Sequence, residues 1–83
     1  MHSNRMPKTL VRELERHAHQ VDEYWMEDDE FEPEKGNWSI WIYLRPEFEN
    51  GYDPGLGLIH EATAKDAIDA LRRVQPTTVP RRR

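Results

Sequence analysis

Residues 37–46, NWSIWIYLRP, put apolar side chains on both faces of one short strand. Side chains alternate along a strand, so Trp38, Ile40, Ile42 and Leu44 point one way while Ser39, Trp41 and Tyr43 point the other. Each face then needs cover. One layer must lie over Trp38, Ile40, Ile42 and Leu44, and a second surface, from this chain or from another molecule, must answer for Trp41 and Tyr43.

The chain has little material with which to do this. Its 83 residues fit one domain, and a domain of this size buries only roughly 60–65% of the surface its unfolded chain exposes. There is no Cys, which excludes disulfide support and removes thiolate metal ligands, so dimerisation or a partner is the expected source of added stability. The missing Cys also suits a reducing compartment. The first ten residues, MHSNRMPKTL, lack the apolar centre of a signal peptide, and no later apolar run approaches the roughly 20 residues needed to span a bilayer. A soluble, cytoplasmic protein is expected.

Net charge is −4, a modest value that conceals segregation. Residues 22–34 hold eight acids and no base (Asp22, Glu23, Glu27, Asp28, Asp29, Glu30, Glu32 and Glu34), whereas residues 71–83 hold five Arg and no acid. Local patterns then divide the chain. Leu10, Val11, Leu14, Ala18 and Val21 at helical spacing, with Pro7 where its missing N–H costs little, predict a helix over about 8–20. Val11, Leu14, Ala18, Val21 and Trp25 would also form a coiled-coil seam if that helix continued, because residues 21–26 suit either period. The simplest expectation for the next segment is a β-hairpin, with strands at about 22–30 and 37–44. Folding it about Glu34 and Lys35 sets Tyr24, Trp25 and Met26 near Tyr43 and Leu44.

RPEFENGYDPGLG is a long connection with two turn formers, Asn-Gly and Asp-Pro-Gly, and LGLIHE is a short third strand. TAKDAIDALRRV is the clearest helix: Thr63 and Asp66 make a capping-box-like start, Ala64, Ala67, Ile68, Leu71 and Val74 form one stripe, and Pro76 stops it. The expected architecture is a small single α+β domain, α-β-β-β-α, with an antiparallel sheet packed by the C-terminal helix. Residues 1–7 read as a flexible N-terminus, 8–75 as the domain, and 76–83 as a disordered Arg-rich tail.

Catalytic and metal patterns are weak. Glu13 and His17 alone have i, i+4 chelating spacing, which a solvated helix face explains, since zinc needs three or four convergent ligands. His60 beside Glu61 lacks a nucleophile and an orienting third group, and a hydrogen-bonded strand-end His is the simpler account. Gly55-Leu56-Gly57 lacks the context of a phosphate loop. No enzyme, no cofactor and no metal are expected.

Binding is the richer prospect. A rigid display of Glu27, Asp28, Asp29, Glu30, Glu32 and Glu34 matches a basic groove as phosphates do, with Trp41, Tyr43, Phe48 and Tyr52 as apolar anchors. Trp25 stands among the same aromatics, and Trp38 is expected in the core. Alternatively, Arg72, Arg73, Arg81, Arg82 and Arg83 could neutralise phosphates in a small dimeric nucleic-acid-binding regulator, although the acid run would repel a phosphate backbone.

From GNWSIWIYLRPEF through GLIHEATAKDAIDAL, a Trp-led strand, a loop and an IHEAT-led helix, the chain resembles short proteins encoded by phages and prophages. That resemblance implies no catalytic residue. It implies a bacterial host cell and a setting in which small acidic proteins, the anti-CRISPR inhibitors among them, bind and block host machinery. The expected function is thus a non-enzymatic inhibitor, a nucleic-acid mimic whose acidic hairpin covers a basic surface of a nucleic-acid-binding host protein.

Overall fold

In the computed structural model, residues 6–28 and 38–78 are described, Asp28 and Trp38 through their backbone alone. The architecture is a small α+β fold in the expected order, with two short strands added. The first helix, α1 (Lys8–Arg16), leads into β1 (Val21–Asp28) and β2 (Trp38–Leu44). A short β3 (Phe48–Glu49) and β4 (Leu58–Glu61) come next, then α2 (Ala64–Arg72) and β5 (Gln75–Pro76). Strands β1, β2 and β4 form an antiparallel sheet in the order β1-β2-β4, and β3 pairs with β5.

The α1 helix is shorter than its apolar spacing predicts. Val11 N–H donates to the Pro7 carbonyl at 3.0 Å to open it, and the helix ends at Arg16. Residues 17–20 form a hydrogen-bonded turn in which Gln20 N–H and Val21 N–H both reach the His17 carbonyl. Arg45 N–H then bonds the Gln20 carbonyl at 2.8 Å and fixes the entry to β1. Strand pairing and the β-preferring Val21, Tyr24 and Trp25 win over helix continuation, so no coiled-coil seam forms and Ala18 is exposed.

The hairpin register also differs from expectation. Trp25 lies opposite Trp41 and Met26 opposite Ile40, which centres the hairpin near position 33 rather than between Glu34 and Lys35. Burial decides this, because the observed register puts Met26 with Ile40 and Ile42 on one face and gathers the aromatics on the other. A bulge between Val21 and Glu23 adjusts the start of β1. Val21 and Met26 are an odd number of residues apart and would face opposite ways in a regular strand. One extra residue at Asp22 lets both bury.

Both helices lie over the same side of the sheet. Leu10 and Leu14 of α1, Ala67, Ala70 and Leu71 of α2, and Ile40, Ile42, Leu44 and Ile59 of the sheet form one buried cluster with Val21 and Met26. Each fully buried Leu or Ile contributes about 1.5–3 kcal/mol through burial. The α2 start is as expected, Thr63 Oγ1 accepting from Asp66 N–H at 3.1 Å.

The long connection is closed by polar contacts. Asn50 Nδ2 donates to the Leu58 carbonyl at 3.0 Å, Asn50 Oδ1 accepts from Tyr52 N–H at 2.8 Å, and Gly55 adopts φ 92°, a conformation glycine tolerates. Thr77 N–H bonds the Glu47 carbonyl and Thr77 Oγ1 the Pro46 carbonyl, so Pro76 to Thr78, expected in the tail, are held against the loop. Among the described residues no helix is long and apolar enough to cross a membrane.

Candidate functional site

With α1 and α2 on one side, no helix or second sheet among the described residues lies over the opposite face of the sheet. Trp25 of β1, Trp41 of β2 and His60 of β4 are direct cross-strand neighbours and form a row across all three strands. Trp41 and His60 stack with centroids 3.7 Å apart and planes 9° from parallel. Trp25 stacks on Trp41 at 6.0 Å and on Tyr43 at 5.2 Å, so four rings make a continuous patch. Aromatic pairs are worth about 0.5–1.5 kcal/mol each beyond area burial. Trp25 is nonetheless 39% exposed, and Trp41 and Tyr43 are only half-buried.

Carboxylates border this patch on the β1 side. Glu23 and Glu27 alternate with Trp25 on the same face, opposite Tyr43 and Ser39, and Glu27 Oε1 accepts from Trp25 Nε1 at 3.4 Å. At the centre Trp41 Nε1 is buried with no acceptor among the described residues. A buried donor left unsatisfied costs about 1–3 kcal/mol.

The structure brings together some of the residues singled out from sequence and separates others. Trp41 and Tyr43 share the patch, with Glu27 beside them and Asp28 next along β1. Asp29, Glu30, Glu32 and Glu34 lie outside the described residues, as do Arg81, Arg82 and Arg83. Phe48 stands apart from the patch: half-buried, it packs against the core and meets His19 edge-on at 6.0 Å, on a strand, β3, that pairs with β5. Tyr52 is 58% exposed but belongs to another surface, beneath the Arg73 guanidinium at 5.1 Å from its ring.

Arg72 is likewise engaged within the chain. Its Nε and Nη2 donate to the two carboxylate oxygens of Glu13 at 3.3 and 3.4 Å, and His17 Nε2 lies 3.2 Å from Glu13 Oε2. Glu13 is therefore not on a solvated helix face. It is buried, and the Arg72 hydrogen bonds hold its carboxyl below the usual range against the opposing effect of burial. The pair pins α1 to α2.

Neighbours in a strand face opposite ways, so the His60 and Glu61 side chains lie on different surfaces. His60 lies on the aromatic patch, while Glu61 lines a recess of about 250 Å³ with Tyr52, Asp66 and Asp69. Burial, and then the nearby Asp66, raise the Glu61 carboxyl. Among the described residues no group of three or more His, Asp or Glu side chains is arranged to hold a metal.

Glu23 is the member of the patch that sequence reasoning assigned to no site, while Trp25 was read only as a neighbouring aromatic and His60 only as a weak acid-base candidate beside Glu61. Period-two alternation in β1 and β4 carries the signal, but only the observed register joins these residues to Trp41. In comparisons with known proteins, no family model, no curated protein and no solved structure matches the chain.

Proposed function

We propose that the protein is a non-enzymatic interaction module that binds a basic protein through the face of its sheet opposite the two helices. The observation that carries this reading is the four-ring row Tyr43, Trp25, Trp41 and His60 bordered by Glu23 and Glu27. Exposed, mutually stacked aromatics form rigid anchors of the kind interface hot spots favour. Carboxylates beside them favour Arg and Lys, which also sit well over indole rings. A surface that receives such an acidic face is one that nucleic acid would otherwise occupy. The module thus acts as an inhibitor, and in the phage or mobile-element setting that the sequence resembles, its partner is a nucleic-acid-binding protein of the bacterial host.

The alternative, direct nucleic-acid binding through Arg-rich ends, has less support, since Arg72 is bonded to Glu13 and Arg73 stands over Tyr52. The test compares proteins retained from nuclease-treated bacterial lysate by the wild-type chain and by a Trp25→Ala, Trp41→Ala variant. A basic nucleic-acid-binding protein that is retained by the wild type, lost with the variant and released by added nucleic acid is the expected result. Equal retention by the variant would show that the aromatic face is not the binding surface.

A further inference from the structure

We infer that the peptide joining Asn50 to Gly51 is a self-modification site, a deamidation that the folded 50–57 loop restrains and whose product loosens the start of β4. This goes beyond the reading of the aromatic face and depends on no partner. Of the Asn residues in the chain, Asn4 precedes Arg5, Asn37 precedes Trp38, and Asn50 alone precedes a Gly. Gly has no Cβ and leaves the attacking nitrogen least hindered. The reaction needs only this pair and water. The Gly51 nitrogen attacks Asn50 Cγ, a C–N bond forms there, the Cγ–Nδ2 bond breaks, and the Gly51 amide proton departs with Nδ2 as ammonia. Water then opens the cyclic imide at either carbonyl and leaves Asp or isoaspartate at position 50.

The fold calls for both residues of this reactive pair. A Cβ at position 51 would overlap the Arg73 carbonyl oxygen just past the end of α2, so Gly stands there. Asn50 is 6% exposed, and each of its polar atoms is engaged. Its N–H donates to the Leu56 carbonyl at 2.8 Å, and its carbonyl accepts from Asp53 N–H at 3.2 Å. Its Oδ1 accepts from Tyr52 N–H at 2.8 Å while its Nδ2 donates to the Leu58 carbonyl at 3.0 Å. A side-chain amide meets both demands, because it carries an acceptor and a donor on one carbon.

The same bonds hold the reaction back. Nδ2 must part from the Leu58 carbonyl before it leaves as ammonia, and Gly51 is packed against Arg73, so ring closure waits on opening of the loop. Glu49 adds to the restraint, since its carboxylate accepts from Gly55 N–H in the loop and from Thr78 beyond β5. The product then removes part of what restrained it. An ionised Asp at position 50 has no donor and sets its oxygens against the Leu58 carbonyl, and isoaspartate also lengthens the backbone. Leu58 opens β4 opposite Tyr43, on the strand that carries His60. Loss of ammonia makes the step one-way.

The test incubates the full chain at mildly alkaline pH, with and without denaturing urea, and follows each Asn by peptide mapping and mass spectrometry. In urea, Asn50 is expected to exchange ammonia for water ahead of Asn4 and Asn37, and in the folded chain to react at least about tenfold more slowly. Glu49→Ala, which loosens the loop, is expected to narrow the ratio between its own folded and urea rates. Asn50→Asp, the product itself, is expected to show amide exchange at Tyr52 and Leu56 at least about tenfold faster than wild type. Should that variant not fold, the modified fraction of the aged wild-type chain gives the same reading. Equal rates at Asn50 with and without urea, or no reaction in urea, would overturn the restrained site. A ratio unchanged by Glu49→Ala would overturn the loop as its restraint, and wild-type exchange in the product would overturn the effect on β4.

Discussion

Trp41 and His60 stand directly opposite each other on neighbouring strands and stack at 3.7 Å with nearly parallel rings, yet the Trp41 indole N–H has no acceptor among the described residues. The ring is held by its faces and not by its polar edge. Trp41→Phe keeps a flat ring in the stack and removes the unsatisfied donor, so it is expected to change stability by no more than about 1 kcal/mol. Trp41→Ala removes the stack itself and is expected to cost about 2–3 kcal/mol, measured by urea denaturation. A Phe variant as unstable as the Ala variant would mean that the indole N–H is satisfied.

Glu49 closes the far side of the molecule. Its fully buried carboxylate accepts from Gln75 Nε2 at 2.6 Å, Thr78 Oγ1 at 2.9 Å, Gly55 N–H at 3.0 Å and Thr78 N–H at 3.3 Å. The Gln75 bond first, and then the Thr78 and Gly55 bonds, hold its pKa below 4.5 against burial. Glu49→Ala frees the 50–57 loop and β5 together, and a fall in Tm of about 5–10 °C is expected. Faster amide exchange at Gly55 and Thr78 is the accompanying sign, and an unchanged exchange pattern would contradict the clasp.

Gly51 is required by close approach. A Cβ built there overlaps the Arg73 carbonyl oxygen and also meets the Arg73 Cβ, both fixed at the end of α2. Backbone cannot swing aside as a side chain can. Gly51→Ala is expected to cost about 1–3 kcal/mol in chemical denaturation and to part Arg73 from the Tyr52 ring, seen as a change in the Tyr52 ring resonances. Wild-type stability in that variant would show that the loop retreats freely.

Sequence reasoning reached the features that are local. The α2 cap needs only Thr63 and Asp66, and the alternation in β2 needs only consecutive residues, so both were legible. It failed where distant segments decide. The hairpin register depends on which faces bury together, and the fate of Phe48 depends on β5 arriving from the far end of the chain. Glu49 carried no signal at all, since one Glu in a loop looks like any other until Gln75 and Thr78 converge on it. The aromatic patch was half visible: Trp41 and Tyr43 are evident from β2 alone, while Trp25 and His60 join only through pairing.

Two carboxylates give the pH dependence opposite signs. The Glu13 carboxyl is lowered from 4.5, chiefly by its Arg72 hydrogen bonds, so its contribution is present above 4.5 and is lost as pH falls through its folded value. The Glu61 carboxyl is raised from 4.5 by burial and by Asp66, so its ionisation costs stability as pH rises through its folded value. Glu13→Gln is therefore expected to lower stability at neutral pH by about 1 kcal/mol, a modest figure because solvent screens its exposed Arg72 partner, with the difference from wild type closing in acid. Glu61→Gln is expected to raise stability at neutral pH by about 0.5 kcal/mol and to match wild type at low pH, where Glu61 is already protonated. Urea unfolding of the three proteins across the acid range measures both. Parallel stability curves for either variant and the wild type would show that its carboxylate ionises alike in the folded and unfolded chain.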